Sequence, residues 1–203
     1  MLLSFKDFLK ESINDKSLEA LAEILLYIHS FGTTTARVES NKRLSKNVDL
    51  ITHNISNNYK VNINNIDLYR WTDFIEKDIF DDSDELLLNY NQYSYTTLKP
   101  KEIIKVFNKN YGIIFKPKFT KGLGIDVNKI LIYIKNKPSI FRDMKDKHLL
   151  EDLRYNEILD LDNNLSYDML MTIEDVLDDE EIIVFSPETR LLKKSEIVLN
   201  LNI

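Results

Sequence analysis

The stretch YSYTTLKPKEIIKVF at residues 93–107 places side-chain hydroxyls between aromatic rings and then runs directly into an amphipathic segment. Its first half is rich in aromatic and β-branched residues, which favours an extended strand. Its second half predicts a helix over residues 100–110. The simplest interpretation of Ser94, Thr96 and Thr97 is therefore a strand edge followed by a helix cap.

Outward from this stretch, short β-prone runs alternate with predicted helices. The runs are VNINNIDLYRW, QYSYTT, GIIFKPKF, KILIYI, EEIIVF and EIVLNL. The helices are expected at 73–90, 100–110, 128–137 and 143–157, and the third of these overlaps KILIYI. Strands separated by insertions of unequal length predict an α+β fold rather than a regularly alternating α/β unit.

The N-terminal part predicts helices alone. Ser17 is a candidate cap for a helix that ends at Phe31-Gly32. Its apolar residues follow helical spacing and are Leu18, Leu21, Ala22, Leu25 and Ile28. A second helix is expected over 34–57, with a buried stripe of Val48, Ile51 and Ile55. We expect a single domain over 12–203, with a helical front over about 12–60 and a mixed core over about 61–203.

Composition excludes several classes of function. The chain has 203 residues, 43% of them hydrophobic, which is enough for one core. A formal net charge of −6 argues against a broad nucleic-acid-binding face, although a local basic groove can be masked by the total. There is no cysteine and no apolar run of membrane-spanning length, so neither a disulfide nor a membrane partner is expected. The three histidines are far apart without ligand spacing, so no metal site is expected.

Two further segments complete a pattern with the hydroxyl stretch. Upstream, IDLYRW ends a predicted strand near Arg70, and downstream DDEEIIVFSPETRLL places acidic residues directly before a strand and a turn. In this order the three segments resemble the mono-ADP-ribosyltransferase family with Arg, Ser-x-Thr and acid-x-Glu motifs. The resemblance covers roughly residues 66–203, and only the combination of motifs is specific. It implies two small packed sheets that form a cleft for NAD, with the N-terminal helices over one flank.

The resemblance assigns roles that follow from the chemistry of ADP-ribose transfer. Positive charge builds on the ribose when the nicotinamide bond breaks, and a carboxylate stabilises it; Glu181 is the candidate. The planar fork of Arg70 suits the pyrophosphate. Asp179, two residues before Glu181, would activate the acceptor. Ser94 and Thr96 would support the catalytic carboxylate. The remaining candidates lie around the dinucleotide and are Trp71, Ser94, Tyr95, Thr96 and Phe107. NAD is then a substrate, and no metal is needed.

Departures from the family pattern leave alternatives open. Asp179 is shorter than the glutamate found in arginine-modifying members, so the acceptor residue type stays open, and a slipped register would bring in Glu180. The hydroxyl motif also lacks a third serine. Taken alone, an Arg at a strand end such as Arg70 usually forms a surface ion pair, and an acidic run is usually a solvated loop. The rival functions are a non-enzymatic phage head or host-takeover binding protein and an NAD glycohydrolase that uses water as acceptor.

The first eleven residues, MLLSFKDFLKE, resemble head-targeting leaders of internal proteins in T-even-like bacteriophages. Cleavage would follow Leu9-Lys10-Glu11, and the alternative is an ordinary amphipathic helix. The resemblance implies a protein located in the virion interior or the host cytoplasm. Its acceptor would be a host protein such as RNA polymerase or a component of the translation machinery.

Overall fold

The computed structural model describes residues 14–29, 34–72, 80, 84–88, 93–149 and 165–201. The leader segment 1–11, the Phe31-Gly32 stop and most of the expected helix over 73–90 lie outside these residues. In the described part the chain forms six α-helices and small antiparallel sheets, so the predicted α+β class is confirmed.

Two long helices open the described chain, as the apolar spacing predicts. They are α1 (Asp15–His29) and α2 (Thr34–Asn54). The predicted cap is wrong by three residues, because the Asn14 side chain accepts the Ser17 N–H at 2.8 Å. The Ser17 hydroxyl instead donates to the carbonyl of Asn54 at 2.9 Å and ties the start of α1 to the end of α2. Glu23 of α1 and Arg43 of α2 form a second link, with an N–O distance of 2.6 Å.

Nine strands form three sheets among the described residues. Their bounds are β1 Lys60–Val61, β2 Arg70–Thr72, β3 Glu85–Leu87, β4 Ser94–Thr96, β5 Ile113–Phe115, β6 Leu123–Asp126, β7 Glu181–Phe185, β8 Leu191–Lys193 and β9 Ile197–Asn200. The first sheet has the order β1-β6-β7-β4, the second β2-β5-β9 and the third β3-β8. A bridge between Tyr69 and Thr96 joins the first two sheets.

Four shorter helices lie between strands along the chain, namely α3 (Pro100–Val106), α4 (Val127–Asn136), α5 (Ser139–Asp146) and α6 (Tyr167–Asp178). The prediction of a β-prone run at KILIYI is wrong, since these residues lie in α4. The Asp126 side chain caps this helix by accepting the Lys129 N–H at 3.1 Å. The Ser166 hydroxyl caps α6 in the same way through the Met169 N–H. Helix α3 ends earlier than the predicted residue 110.

Two predicted elements need correction. The helix over 73–90 is wrong at Glu85–Leu87, which forms β3 and pairs with β8. The helix over 143–157 begins earlier, at Ser139, and 147–149 already form a turn, while 150–157 lie outside the described residues. A helical periodicity in an acidic, leucine-rich segment is thus overridden at 85–87 by pairing with a distant strand.

The core lies on both faces of the sheets. On the first sheet, the face with Ile125 and Ile183 belongs to the cluster formed with helices α1, α2, α4, α5 and α6. Its other face carries Tyr95, Ile182 and Val184. Helix α3 covers one face of the second sheet. Within the described ranges, no helix combines the length and apolar character required to cross a membrane.

Candidate functional site

The three sequence motifs lie on strands that are neighbours in space. Strand β4 pairs antiparallel with β7 and places Thr96 opposite Glu181. On its other side, Thr96 exchanges two backbone hydrogen bonds with Tyr69, at 2.8 and 2.9 Å, directly before Arg70. Because β2 and β7 both run antiparallel to β4, they run parallel to each other. Their first residues, Arg70 and Glu181, therefore lie at the same end of the joined sheets, beside Thr96.

The hydroxyl motif holds the acidic turn in place at this end. The Thr96 hydroxyl donates to the carbonyl of Asp179 at 2.6 Å and accepts the Leu98 N–H at 3.0 Å. The Thr97 hydroxyl donates to the Glu180 carboxylate at 2.5 Å, and the Thr97 N–H donates to the Glu180 carbonyl at 3.2 Å. Both threonines therefore fix the turn that connects α6 to β7.

The three acids of this turn differ in exposure. Glu180 is exposed and has a left-handed backbone with a φ of 45°, which is uncommon for a residue with a Cβ. Glu181 is only 4% exposed, and its Oε1 atom is buried. Asp179 is half-buried, and burial, followed by the charges of Asp175 and Asp178, raises its pKa to about 6. Near neutral pH, Asp179 can therefore accept or release a proton.

Arg70 packs against a buried tyrosine. Its guanidinium carbon lies 5.7 Å from the centroid of the Tyr95 ring. Burial raises the pKa of Tyr95 to about 12, although the charge of Arg70 opposes this. Phe119 meets the same ring edge-on, with 5.2 Å between centroids. Arg70, Tyr95 and Phe119 thus form a compact cationic and aromatic cluster beside Ile182 and Val184.

Strand alternation divides the sequence-predicted residues between two faces. Directly paired residues share a face, and successive residues alternate. Thr96 and Glu181 therefore lie on one face, and Ser94, two residues from Thr96, lies on that face also. Tyr95 and its neighbour Arg70 lie on the other face. The motif end of the sheet therefore carries a carboxylate on one side and a guanidinium on the other.

Trp71 and Phe107 lie to the side of this end. Both pack against the cluster around Tyr69 and Ile103, where α3 covers the second sheet. The Trp71 indole N–H donates to the carbonyl of Tyr111 at 2.9 Å. Neither residue is placed against the Tyr95 ring by a contact in the described part of the structure.

Sequence reasoning assigned no role to two contributors. The Ser-x-Thr spacing selects Thr96 and not its neighbour Thr97, whose two bonds to Glu180 are seen only in the structure. Phe119 lies in GIIFKPKF but after the end of β5, so its contact with Tyr95 has no periodic signal in the sequence.

The described residues contain no group of three or more acidic, histidine or cysteine side chains arranged to hold a metal ion. Comparison of the chain with models of protein families, with curated proteins and with solved structures found no match. The functional assignment therefore depends on the chemistry of the site.

The raised pKa of Asp179 predicts a pH-dependent stability. The folded protein keeps a proton that the unfolded chain releases, so this group's contribution to the free energy of unfolding falls as pH rises from about 4 to about 6 and stays low above that. We expect Asp179→Asn to be more stable than the unchanged protein at neutral pH, by about 1 kcal/mol after solvent screening. The difference should shrink towards pH 4 in urea unfolding. Parallel curves across this range would contradict the shifted pKa.

Proposed function

We propose that the chain is an NAD-dependent mono-ADP-ribosyltransferase and that its two joined sheets form the dinucleotide site. One observation carries this proposal: the Arg, hydroxyl and acidic motifs, far apart in sequence, start or end adjacent strands at one end of the sheet. Two strand spacings of about 4.8 Å separate β2 from β7, so Arg70 and Glu181 start about 10 Å apart at the backbone. Because the two side chains lie on opposite faces, NAD would bind across the strand ends, with its pyrophosphate at Arg70 and its reacting ribose at Glu181.

In the proposed reaction, the bond between nicotinamide and the ribose carbon breaks, and nicotinamide leaves with the electron pair. Glu181 stabilises the positive charge that develops on the ribose. A nucleophile of the acceptor protein then bonds to the same carbon from the opposite side. Asp179, whose pKa is near neutrality, takes the proton that the nucleophile loses. Thr96 and Thr97 keep the acidic turn at the sheet end during this exchange.

A second candidate function is a non-enzymatic binding protein, and it is favoured by the placement of the acid. Glu181 is 4% exposed and shares its face with Thr96, whereas Arg70 stacks on Tyr95 across the sheet. A dinucleotide has to pass around the strand ends to reach both groups. A protein that binds a partner through this end of the sheet has no such requirement.

Incubation of the purified protein with labelled NAD and a bacterial lysate separates the candidates. A transferase produces labelled protein bands, whose modified residue mass spectrometry then identifies. A glycohydrolase produces free ADP-ribose without labelled protein. Folded protein that does neither, in lysates from several hosts, would support the binding protein. The experiment also tests whether the acceptor is a host protein such as RNA polymerase or a component of the translation machinery. Packaging in a phage head stays a prediction.

The role of Arg70 gives a separate prediction. Because a guanidinium donates charge-assisted hydrogen bonds to a pyrophosphate, we expect Arg70→Ala to weaken NAD binding about 10- to 100-fold in calorimetric titration. Arg70→Lys keeps the charge but loses the planar fork, so its affinity for NAD should lie between those of the unchanged protein and of Arg70→Ala. Arg142→Ala, at an exposed position of α5, is the matched control. Unchanged affinity in folded Arg70→Ala would remove Arg70 from the site.

A further inference from the structure

A basic surface lies directly beside the acidic turn. Residues 99–111 contain four lysines and one acid, Glu102, in a chain whose net charge is −6. Lys101 and Lys105 are exposed one turn apart on α3, and Lys109 follows at its end. None of the three forms an ion pair with a carboxylate in the described part of the chain. We call Lys101, Lys105 and Lys109 the lysine stripe.

The end of α3 fixes the third lysine of the stripe. Asn108 has a left-handed backbone with a φ of 47°, and the Lys109 N–H returns to the carbonyl of Ile104 at 3.0 Å. This closing geometry holds Lys109 against the helix. Its ammonium lies 4.0 Å from the centroid of the Trp71 ring. The stripe is thus held on a helix and its cap, so little side-chain and backbone freedom has to be lost around Lys109 when a partner binds.

Exposed apolar side chains flank the lysine stripe. Val106 is 41% exposed and Tyr111 is 52% exposed, and Tyr111 lies edge-on to Trp71 with 6.1 Å between ring centroids. Interfaces between proteins are enriched in tyrosine and tryptophan surrounded by polar side chains. The stripe therefore combines positive charges that no described carboxylate pairs with and the side chains that commonly contribute binding energy.

We propose that the lysine stripe docks an acidic segment of the acceptor protein. This inference rests on the proposed transferase for its purpose, because α3 begins three residues after Thr97, which holds the acidic turn through Glu180. A helix of seven residues is only about 10 Å long, so a segment bound along it presents neighbouring side chains to the turn. The lysine stripe attracts an acidic segment, whereas the carboxylates of Asp179 and Glu180 repel it. The acidic side chains of the segment should therefore bind along the stripe and not at the turn.

An acidic protein segment fits better than a single-stranded nucleic acid. The ammonium of Lys109 lies over one face of the Trp71 ring and so competes with a base that would stack there. A phosphate backbone that continued past Lys101 would also meet the carboxylates of the acidic turn. A carboxylate-bearing segment can end or change composition at that point.

The test is binding of a fluorescent polyglutamate peptide to the full chain, measured by anisotropy at low and at physiological ionic strength. Reversal of the charge at the two exposed lysines of α3, Lys101→Glu with Lys105→Glu, should weaken peptide binding at least about tenfold at low salt. Lys118→Glu with Lys121→Glu is the matched control, because it changes the net charge equally at exposed positions on another segment. Its affinity should stay within about twofold of the unchanged protein. If the reversal variant does not fold, Lys101→Gln with Lys105→Gln serves in its place.

Three results would overturn this inference. The first is that the stripe and control variants bind the peptide equally well. The second is that the protein binds single-stranded DNA more tightly than a peptide of equal charge. The third is that the charge reversal changes only the self-association of the protein. In the lysate assay, the reversal variant should lose labelled protein, while any hydrolysis of NAD to ADP-ribose that the unchanged protein shows should continue. If the unchanged protein does not react with NAD at all, the transferase is wrong, but the peptide measurement still tests the docking surface.

Discussion

Glu181→Gln is expected to abolish labelling of acceptor protein by NAD, with a loss of about a thousandfold or more in rate. The substitution keeps the size of the side chain and removes only the negative charge, and loss of one group that stabilises transition-state charge commonly costs several kcal/mol. Affinity for NAD should fall much less, because Arg70 and the backbone at the sheet end are unchanged. Initial rates with labelled NAD, measured beside a calorimetric titration of NAD, check both expectations.

The control for this prediction is Glu180→Gln. Glu180 is the neighbouring acid, is exposed, and bonds through its carboxylate to Thr97. An amide at 180 can still accept this hydrogen bond, so the turn is kept while the charge is lost. If Glu180→Gln stops the reaction and Glu181→Gln does not, the acidic motif is used in a register shifted by one residue. If the unchanged protein and both variants bind a partner equally well and none of the three turns over NAD, a non-enzymatic binding protein is the better description.

The sequence predicted the parts of the fold in which local periodicity and tertiary packing agree. Helix α1 is an example, since each apolar residue at helical spacing from Leu18 to Ile28 is buried. Strands β4, β5, β7 and β9 also lie within predicted β-prone runs. Strand β3 could not be found in this way, because DELLLN has no alternation and becomes a strand only through pairing with β8.

The sequence predicted which residues form the candidate site better than it predicted on which face of the sheet each side chain lies. The resemblance placed Arg70, the hydroxyls and the acids in one site, and the structure brings their strands together at one end of the sheet. The alternation of YSYTT already required Tyr95 to point away from Ser94 and Thr96. No sequence rule required Glu180 to adopt a left-handed backbone, because that conformation is set by the turn between α6 and β7 and by its bonds to Thr97.

The second large effect concerns Gly112, where α3 returns to the sheet. Gly112 has a φ of 105°, a backbone conformation that residues with a Cβ rarely adopt. A Cβ at this position would lie 2.2 Å from the carbonyl oxygen of Thr72 and 2.5 Å from the Trp71 Nε1 atom. The Gly112 carbonyl also accepts the Leu201 N–H at 2.8 Å, so the loop cannot move away without loss of a contact to the C-terminal strand region.

We therefore expect Gly112→Ala to lower the free energy of unfolding by about 3 kcal/mol or more, because backbone strain and a steric clash add together. Trp71 is the single tryptophan of the chain, so its fluorescence reports directly on this contact. Displacement of the indole from Tyr111 should shift the emission of the folded variant to longer wavelength. Asn110→Ala, at an exposed position in the same loop, should change the free energy of unfolding by no more than about 0.5 kcal/mol. Equal denaturant midpoints for the two variants would mean that the loop accommodates a Cβ, against this prediction.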